Sequence, residues 1–320
     1  MQLLDIVTAR RRIAPYVRRT PLAACTWLSA STGAHASLKL ESLQRSNSFK
    51  LRGAYNAVIA RLERGELAGS RLVTASAGNH GRALAAAAET FHLPLVVFTP
   101  ANAPRTKLDA ICRHGAELRA EGRDYDHAEA LAKQFAKETG AAFVSPYNDP
   151  DVIAGAGTVA LEIFEDEPRT DVLVIPIGGG GLISGVGVAA RAIAPQCEVV
   201  GVEVEASCAF QTSVREGRLV EIVPGPTLAD GLGGNPDPET ITFGLIQRFV
   251  TRIVTVSEAD LRAALVGLVQ AEHLIVEGAG AAAPAALLGR RVDVSGRRVV
   301  VVLTGSNIDQ HKLLDVLRGD

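Results

Sequence analysis

Short apolar runs alternate with longer stretches of helical periodicity along most of the chain. Runs rich in β-branched residues occupy positions 72–74, 95–98, 172–175, 199–202 and 299–303. Apolar runs without polar alternation are typical of strands buried on both faces, as in parallel sheets covered by helices. Between them, residues 82–89 are Ala-rich, and residues 126–139 and 258–272 carry apolar residues at helical spacing. The pattern predicts an α/β fold with mostly parallel sheets.

The middle of the chain has the character of a separate unit. Residues 71–148 complete several alternations of strand and helix, and residues 145–150 are rich in turn-forming residues. We therefore expect a small domain of residues 71–148, inserted into a large domain formed by residues 1–70 and 149–320.

Composition narrows the class of protein. The 320 residues are 47% hydrophobic and 21% charged, with a formal net charge of -2, which argues against a nucleic-acid surface. No secretory signal or apolar run of transmembrane length is present. The four cysteines form no CxxC pair and fit a reducing compartment: Cys25, Cys112, Cys197 and Cys208. We expect a cytoplasmic protein with neither a nucleic-acid nor a membrane partner.

Lys50 is a candidate for imine chemistry. It follows Ser48 and Phe49 at the start of a predicted helix. A free ammonium cannot attack a carbonyl, so Lys50 needs a pKa lowered by burial or by a neighbouring cation. Taken alone, a lysine is more often a surface side chain, and the interpretation depends on other segments.

Four consecutive glycines, Gly178 to Gly181, follow the predicted strand 172–175 and precede an apolar stretch at 186–193. Glycines between strand and helix leave main-chain N–H groups free to converge on an anion at the positive end of the helix. The segment predicts a phosphate-binding loop; a flexible turn is the alternative. Because it lacks both the Lys-Ser/Thr ending of a P-loop and GxGxxG spacing, a nucleotide is disfavoured.

Two further segments supply polar groups at the ends of predicted strands. Ser76 and Asn79 precede the Ala-rich helix and, with its free N–H groups, can hold a carboxylate or a ring oxygen. The alternative is a helix cap followed by a solvent-facing His80. Thr304 follows the strand 299–303, where α/β proteins bind ligands, and its neutral hydroxyl can bond a heterocyclic nitrogen.

In combination and in this order, these segments resemble the fold-type II pyridoxal phosphate (PLP) enzymes, specifically the threonine/serine dehydratase (threonine ammonia-lyase) and serine racemase group. The similarity runs from Thr20 to Asn307 and includes residues 41–44 and 152–158. It implies PLP as cofactor, a tryptophan synthase β-like fold of two three-layer αβα lobes, and a homodimer.

The resemblance gives each candidate residue a role. Lys50 would form the internal aldimine, Phe49 would pack beside the pyridine ring, and Thr304 would face the ring nitrogen, with Ser306 a weaker alternative. Asn79 would bond the ring oxygen. The cofactor phosphate would be bound by the main chain of Gly178, Gly179, Gly180, Gly181 and Leu182. The substrate carboxylate would be held by Ser76, Ala77, Gly78, Asn79 and His80.

The implied reaction is the dehydration and deamination of a β-hydroxy amino acid, with L-threonine or L-serine favoured. Lys50 would remove the α-proton, the β-hydroxyl would leave to give an aminoacrylate, and a 2-oxo acid and ammonia would be released. The racemases of the group carry serine where this chain has Ala77, whose methyl group cannot deliver a proton. We therefore favour a dehydratase over a racemase of serine or aspartate.

Departures from the family pattern leave the substrate open. Residues 46–48 differ from the more usual Thr-Gly-Ser, and Ala156 stands where glutamine is common, so 3-hydroxyaspartate and phenylserine remain alternatives. The glycines of residues 230–235 leave room near the substrate side chain. Glu203 matches a carboxylate of a divalent-cation site in some relatives, but Ala209 replaces the second acid, so we expect no metal. A third interpretation is a non-catalytic amino-acid or phosphate-binding protein that has kept the fold.

Overall fold

Two sheets organise the chain, seen in a computed structural model that describes residues 1–319. The strands are β1 (Leu22–Ala24), β2 (His35–Lys39), β3 (Leu72–Ala75), β4 (Leu95–Pro100), β5 (Glu117–Gly122), β6 (Ala142–Phe143), β7 (Val172–Pro176), β8 (Glu198–Val204), β9 (Arg252–Val256) and β10 (Arg298–Val302). Six of them form a sheet in the order β1-β2-β10-β7-β8-β9, in which only β1 runs antiparallel to its neighbour. The other four form a parallel sheet in the order β5-β4-β3-β6.

The five apolar runs become β3, β4, β7, β8 and β10, so the predicted α/β class with mostly parallel sheets is confirmed. The helices are α1 (Leu3–Ile13), α2 (Thr26–Thr32), α3 (Lys50–Glu63), α4 (Asn79–Thr90), α5 (Arg105–Cys112), α6 (Tyr125–Thr139), α7 (Pro150–Asp166), α8 (Gly181–Ile193), α9 (Ala209–Glu216), α10 (Thr242–Phe249), α11 (Glu258–Glu272), α12 (Gly278–Leu288) and α13 (Gln310–Arg318). No helix within residues 1–319 is both long and apolar enough to cross a bilayer.

Helices cover both faces of the six-stranded sheet, which explains the unbroken apolar runs. Successive strand residues point to opposite faces. Val299 and Val301 of β10 accordingly join a core with α11 and α12, whereas Val300 and Val302 join a second core with α7 and α8. A strand buried on both sides favours apolar residues at every position, and a polar residue there needs a buried partner, as Lys39 of β2 has in Glu162.

The four-stranded sheet is also covered on both faces, by α6 on one side and by α3 and α4 on the other. Val73 packs with Ala128 of α6, while Leu72 shares a core with Val58 of α3 and Leu84 of α4. All strands of this sheet lie between residues 72 and 143, but α3 precedes them in sequence and also packs on α7. The domain limits at residues 70 and 149 stay a prediction.

A cluster of buried charges ties β2, α3 and α7 together. Arg52, 1% exposed, donates two hydrogen bonds to Glu41 at 2.8 Å and one from Nη1 to Glu162 at 2.7 Å. Lys39 donates to the other oxygen of Glu162 at 2.6 Å. Burial disfavours the ionised form of Glu162, but the hydrogen bonds from Arg52 outweigh it and hold its pKa below the usual range. The two cations balance two carboxylates, and the cluster fixes the first turn of α3, where Lys50 lies.

The Arg52→Met variant should be strongly destabilised. Methionine fills similar space but leaves Glu41 and Glu162 buried with too little positive charge, so the free energy of unfolding should fall by about 3–5 kcal/mol. Urea unfolding of the purified protein measures this. The matched control is Arg169→Met, because the Arg169 side chain is 75% exposed and its change should stay within about 0.5 kcal/mol. Equal effects of the two substitutions would contradict the role of the cluster.

Candidate active site

A cavity of about 770 Å³ opens where several parallel strands end, at the edge where α/β proteins bind ligands. Its wall includes Ser76 after β3, Gly178 after β7 and Thr304 after β10. Apart from Ser306, the weaker alternative to Thr304, every residue predicted to contact cofactor or substrate lines it: Phe49, Lys50, Ser76, Ala77, Gly78, Asn79, His80, Gly178, Gly179, Gly180, Gly181, Leu182 and Thr304. The predicted glycine-rich segment 230–235 lines it as well. The structure therefore brings all of these segments to one place.

Lys50 is the first residue of α3, and its amine lies inside the cavity. Nζ donates to the carbonyl oxygen of Pro146 at 2.7 Å and lies 5.1 Å from the centre of the Phe49 ring. Removal from bulk water disfavours the ammonium form and lowers the pKa of Lys50 to about 8, although the Glu277 carboxylate partly opposes the shift. An appreciable fraction of the amine is therefore neutral, and able to attack a carbonyl, near physiological pH.

The Gly178 to Gly181 loop is shaped by close packing against Tyr147. A Cβ atom at Gly179 would overlap the Tyr147 ring, and Gly180 has a φ of +83°, which favours glycine. Gly180 is also the N-cap of α8, and no side chain caps that helix end. The first N–H groups of α8 are thus free to bind an anion, as the loop predicted.

The start of α4 forms a second uncapped helix end on the cavity. Gly78 precedes its first turn without a side-chain hydrogen bond, and the Ser76 hydroxyl accepts instead from the Gly78 N–H at 3.2 Å. The free N–H groups at this end follow Gly78, beginning with Asn79. This geometry suits a carboxylate and agrees with the interpretation of segment 76–80.

The His80 ring is buried rather than solvent-facing, being 2% exposed. Its Nε2 lies 3.2 Å from the Val144 carbonyl oxygen, which can only accept, so Nε2 carries the proton. Burial, together with the positive charge of Lys50, lowers the pKa of His80 to about 3. The neutral imidazole, hydrogen-bonded to the Val144 carbonyl, offers no positive charge to a substrate. Any contribution of His80 to carboxylate binding would therefore come from its main-chain N–H.

Thr304 and Ser306 differ in what their hydroxyls contact. The Thr304 hydroxyl is buried on the cavity wall and has no hydrogen-bond partner within residues 1–319. Ser306 donates to the Ser42 carbonyl at 3.0 Å and does not line the cavity. A buried hydroxyl without a partner is costly, so Thr304 is available to a ligand and Ser306 is not.

A chain of side-chain hydrogen bonds along the cavity wall was not predicted. Arg82 donates to the Asn307 side-chain oxygen at 2.5 Å, Asn307 donates to that of Asn79 at 2.7 Å, and Asn79 donates to Glu277 at 2.6 Å. Burial raises the pKa of Glu277 to about 7. The signals in the sequence were weak: Glu277 is an isolated acid in a largely apolar stretch, and Arg82 is one helical turn from Asn79.

Glu203 has a local structural role. Its two carboxylate oxygens accept from the N–H groups of Phe210 at 2.9 Å and Gln211 at 2.7 Å, at the start of α9. Burial raises the pKa of Glu203 to about 7. Ala209 supplies no second acid, and residues 1–319 contain no group of three His, Cys, Asp or Glu side chains that could hold a metal ion. The contacts of Glu203 are those of a helix-capping residue.

Comparison with known proteins gives the family. The model of the pyridoxal-phosphate dependent enzymes matches residues 13–305. The chain belongs to this family. It is 42% identical over 307 residues to an L-threonine ammonia-lyase of Thermotoga maritima, covering 96% of this chain and 76% of that one. It is 35% identical to an L-threo-3-hydroxyaspartate ammonia-lyase of Saccharomyces cerevisiae, covering 98% and 96%. The structure of maize serine racemase superposes with a TM-score of 0.92 at 30% identity, covering 99% and 97%.

The cavity fits PLP, the cofactor of this family. Lys50, an enclosed lysine, would hold the aldehyde, and the N-terminus of α8, which no side chain within residues 1–319 caps, would hold the phosphate. The ring nitrogen can use the unpartnered Thr304 hydroxyl. A volume of about 770 Å³ lies in the range of cofactor and ligand sites and leaves room for an amino acid beside the cofactor. The fold is that of the fold-type II PLP enzymes, as the resemblance implied.

The rate at which PLP loads onto the apoenzyme should depend on the protonation of Lys50. Its pKa is lowered, so the reactive neutral amine forms as the pH rises through about 8, not through 10.5 as for an ordinary lysine. Initial loading rates followed by absorbance from pH 6 to 11 test this ionisation. The Glu277→Gln variant should shift the midpoint to lower pH, because it removes the charge that favours the ammonium. A wild-type midpoint above pH 10 would contradict the assignment.

Proposed function

We propose that the protein is a PLP-dependent ammonia-lyase that converts a β-hydroxy amino acid, with L-threonine and L-serine as the first candidates, to a 2-oxo acid and ammonia. The observation that carries the proposal is the pairing of an enclosed, readily deprotonated Lys50 with Ala77 in the carboxylate-binding segment. Lys50 supplies a base on one face of the substrate, and the Ala77 methyl group supplies no acid or base on the other. The names of the relatives, L-threonine ammonia-lyase among them, support the same reaction.

Lys50 is the proposed catalytic base. As a neutral amine, Nζ can accept the proton from the α-carbon of a substrate held in the cavity. Phe49 keeps this amine beside an aromatic face, and the Pro146 carbonyl orients it. When bound, PLP supplies an aldehyde that combines with amines and a ring that accepts electron density from the α-carbon. The protein positions the proton acceptor next to that carbon.

Two helix ends position the anions of cofactor and substrate. The α8 terminus, with Gly178, Gly179, Gly180, Gly181 and Leu182, is proposed to bind the phosphate, and the α4 terminus to bind the substrate carboxylate. Each offers main-chain N–H groups and a partial positive charge to an anion. With both anions fixed, the α-carbon has one position relative to Lys50.

Thr304 and Asn79 are proposed to contact the cofactor ring. Thr304 offers a neutral hydroxyl, so no carboxylate at this position stabilises a positive charge on the ring nitrogen. Asn79 already donates one of its two side-chain N–H groups to Glu277 and keeps the other for the ring oxygen. Its amide orientation is fixed, because Asn307 donates to its oxygen.

Racemisation is disfavoured by a single side chain. The backbone gives no discrimination, because the chain superposes closely on a serine racemase. Inversion at the α-carbon needs a second group that returns a proton to the face opposite the base. The racemases of the group carry serine where this chain has Ala77, and a methyl group cannot perform this transfer.

We also propose that the enzyme is a cytoplasmic homodimer with domain limits at residues 70 and 149. The four cysteines are free thiols in the structure, which supports a reducing compartment. The family resemblance supports the dimer. The four-stranded sheet formed by residues 72–143 supports the domain limits.

Purified holoenzyme incubated with L-threonine and L-serine should release 2-oxo acid and ammonia in equal amounts, without accumulation of D-amino acid. Lys50→Ala should lower kcat by about 10³-fold or more, since it removes the base. Lys137→Ala is the control, an exposed lysine on α6 whose loss should leave the rate unchanged. Full turnover by Lys50→Ala, or D-serine as the main product of the wild type, would refute the proposal.

A further inference from the structure

Arg82 is a cation in the cavity wall that has no acidic partner among residues 1–319. It lies on α4, one turn beyond the N-terminus that faces the cavity, and it is half-buried. Its guanidinium has one hydrogen bond to a side chain, to Asn307, and no carboxylate within ion-pair distance among residues 1–319. Buried arginines are normally paired with an anion. Burial and the neighbouring Arg113 both lower the pKa of Arg82, as expected for a cation without a counter-charge.

The other cations at the cavity do have counter-charges. Lys107, on the cavity wall, donates to Asp230 at 2.7 Å, and Lys312, which does not line the cavity, lies 3.9 Å from the same carboxylate. The negative charge of Glu277 stabilises the ammonium form of Lys50. Asp309, the remaining acid on the wall, accepts from the His311 N–H at 2.9 Å and from Thr106 at 3.4 Å. Among the described residues at this site, the unmatched positive charge is therefore that of Arg82.

The hydrogen-bond chain places this charge close to the proposed substrate position. A guanidinium can only donate, so Arg82 fixes the side-chain oxygen of Asn307 toward itself and the side-chain nitrogen toward Asn79. Arg82 is thus two hydrogen bonds away from the Asn79 side chain, at the helix end proposed to hold the substrate carboxylate. With one of its five N–H donors used on a side chain, Arg82 can also accommodate a carboxylate.

We propose that Arg82 binds a second carboxylate on the substrate, so that the enzyme acts on β-hydroxy amino acids with an acidic side chain, such as 3-hydroxyaspartate. Arginine matches a carboxylate with two parallel N–H···O bonds, which a neutral side chain cannot reproduce. The inference rests on the proposed ammonia-lyase function. It adds to that function a residue that determines specificity for the substrate side chain.

The reaction on such a substrate is balanced without a further reactant. The α-proton and the β-hydroxyl leave as water, and the resulting enamine takes up water and releases ammonia. The product is a 2-oxo dicarboxylic acid, and the second carboxylate is unchanged throughout. Arg82 contacts a group that does not react, so its contribution should appear mainly in KM rather than in kcat.

Steady-state kinetics with L-threo-3-hydroxyaspartate and L-serine, which lacks the second carboxylate, tests the proposal. The wild type should have a kcat/KM at least about 10-fold higher for hydroxyaspartate. Arg82→Gln should lower that value by about 10- to 100-fold, the range for a lost charged hydrogen bond. The value for serine should fall by a factor at least about 10-fold smaller, because glutamine can still donate to Asn307. The control Arg113→Gln removes a nearby positive charge that does not line the cavity, and should change both values by less than about 3-fold.

A binding measurement on the holoenzyme gives a readout independent of turnover. Calorimetric titration should show succinate, a dicarboxylate, binding at least about 10-fold more weakly to Arg82→Gln than to the wild type. The affinity for butyrate, which has one carboxylate, should be unchanged. Equal affinity of succinate for both proteins would overturn the proposal.

The outcomes separate the two levels of inference. If no β-hydroxy amino acid is turned over, the ammonia-lyase function itself fails. If serine is turned over and Arg82→Gln slows serine and hydroxyaspartate equally, Arg82 supports the α-carboxylate or the fold, and only the present proposal fails. If inorganic phosphate accelerates serine turnover in the wild type but not in Arg82→Gln, Arg82 holds a separate anion, which also overturns it.

Discussion

The position of Lys50 depends on the buried ion cluster two residues further along its helix. Arg52 joins Glu41, just after β2, to Glu162 of α7, so the first turn of α3 is held from two sides. Each charge in the cluster is costly to bury alone and acceptable in balance, so the loss of any one member leaves an uncompensated buried charge. A lysine at the start of a loosely held helix would move its amine into solvent and regain an ordinary pKa. The chemistry proposed for Lys50 therefore rests on a group of residues that contact no ligand.

The cavity itself is built for anions. Two helices point uncapped N-termini into it, and a fixed cation, Arg82, lies in its wall. Unsatisfied N–H groups and an unpaired guanidinium are unfavourable in the free protein. They become favourable when a phosphate and carboxylates are bound. These N–H groups and this guanidinium, which a stable core would exclude, thus provide affinity for cofactor and substrate. Glycine at position 179 lets the Gly178 to Gly181 loop pack closely on Tyr147.

The sequence predicted the parts of this molecule that are encoded locally. Unbroken apolar runs identified β7 and β10 because a strand covered on both faces favours apolar residues on both. Lys50, the glycine loop and Thr304 were found because each follows or begins a regular element. The Arg82, Asn307, Asn79 and Glu277 chain was missed, because the two residues of each hydrogen-bonded pair in it are 198 to 228 residues apart in sequence. The burial of His80 was missed for a similar reason, since Val144 contacts it from a different part of the chain.

We propose that Lys50 is the amine that carries PLP. The decisive experiment is reduction of the holoenzyme with sodium borohydride, followed by proteolysis and mass spectrometry. We expect a single pyridoxyl-modified peptide that contains Lys50, with no label on Lys39, which is fully buried and paired with Glu162. Lys107, which also lines the cavity, should remain unmodified. A pyridoxyl group on any other lysine, or a holoenzyme that retains PLP without a reducible bond to Lys50, would show that Lys50 does not carry the cofactor.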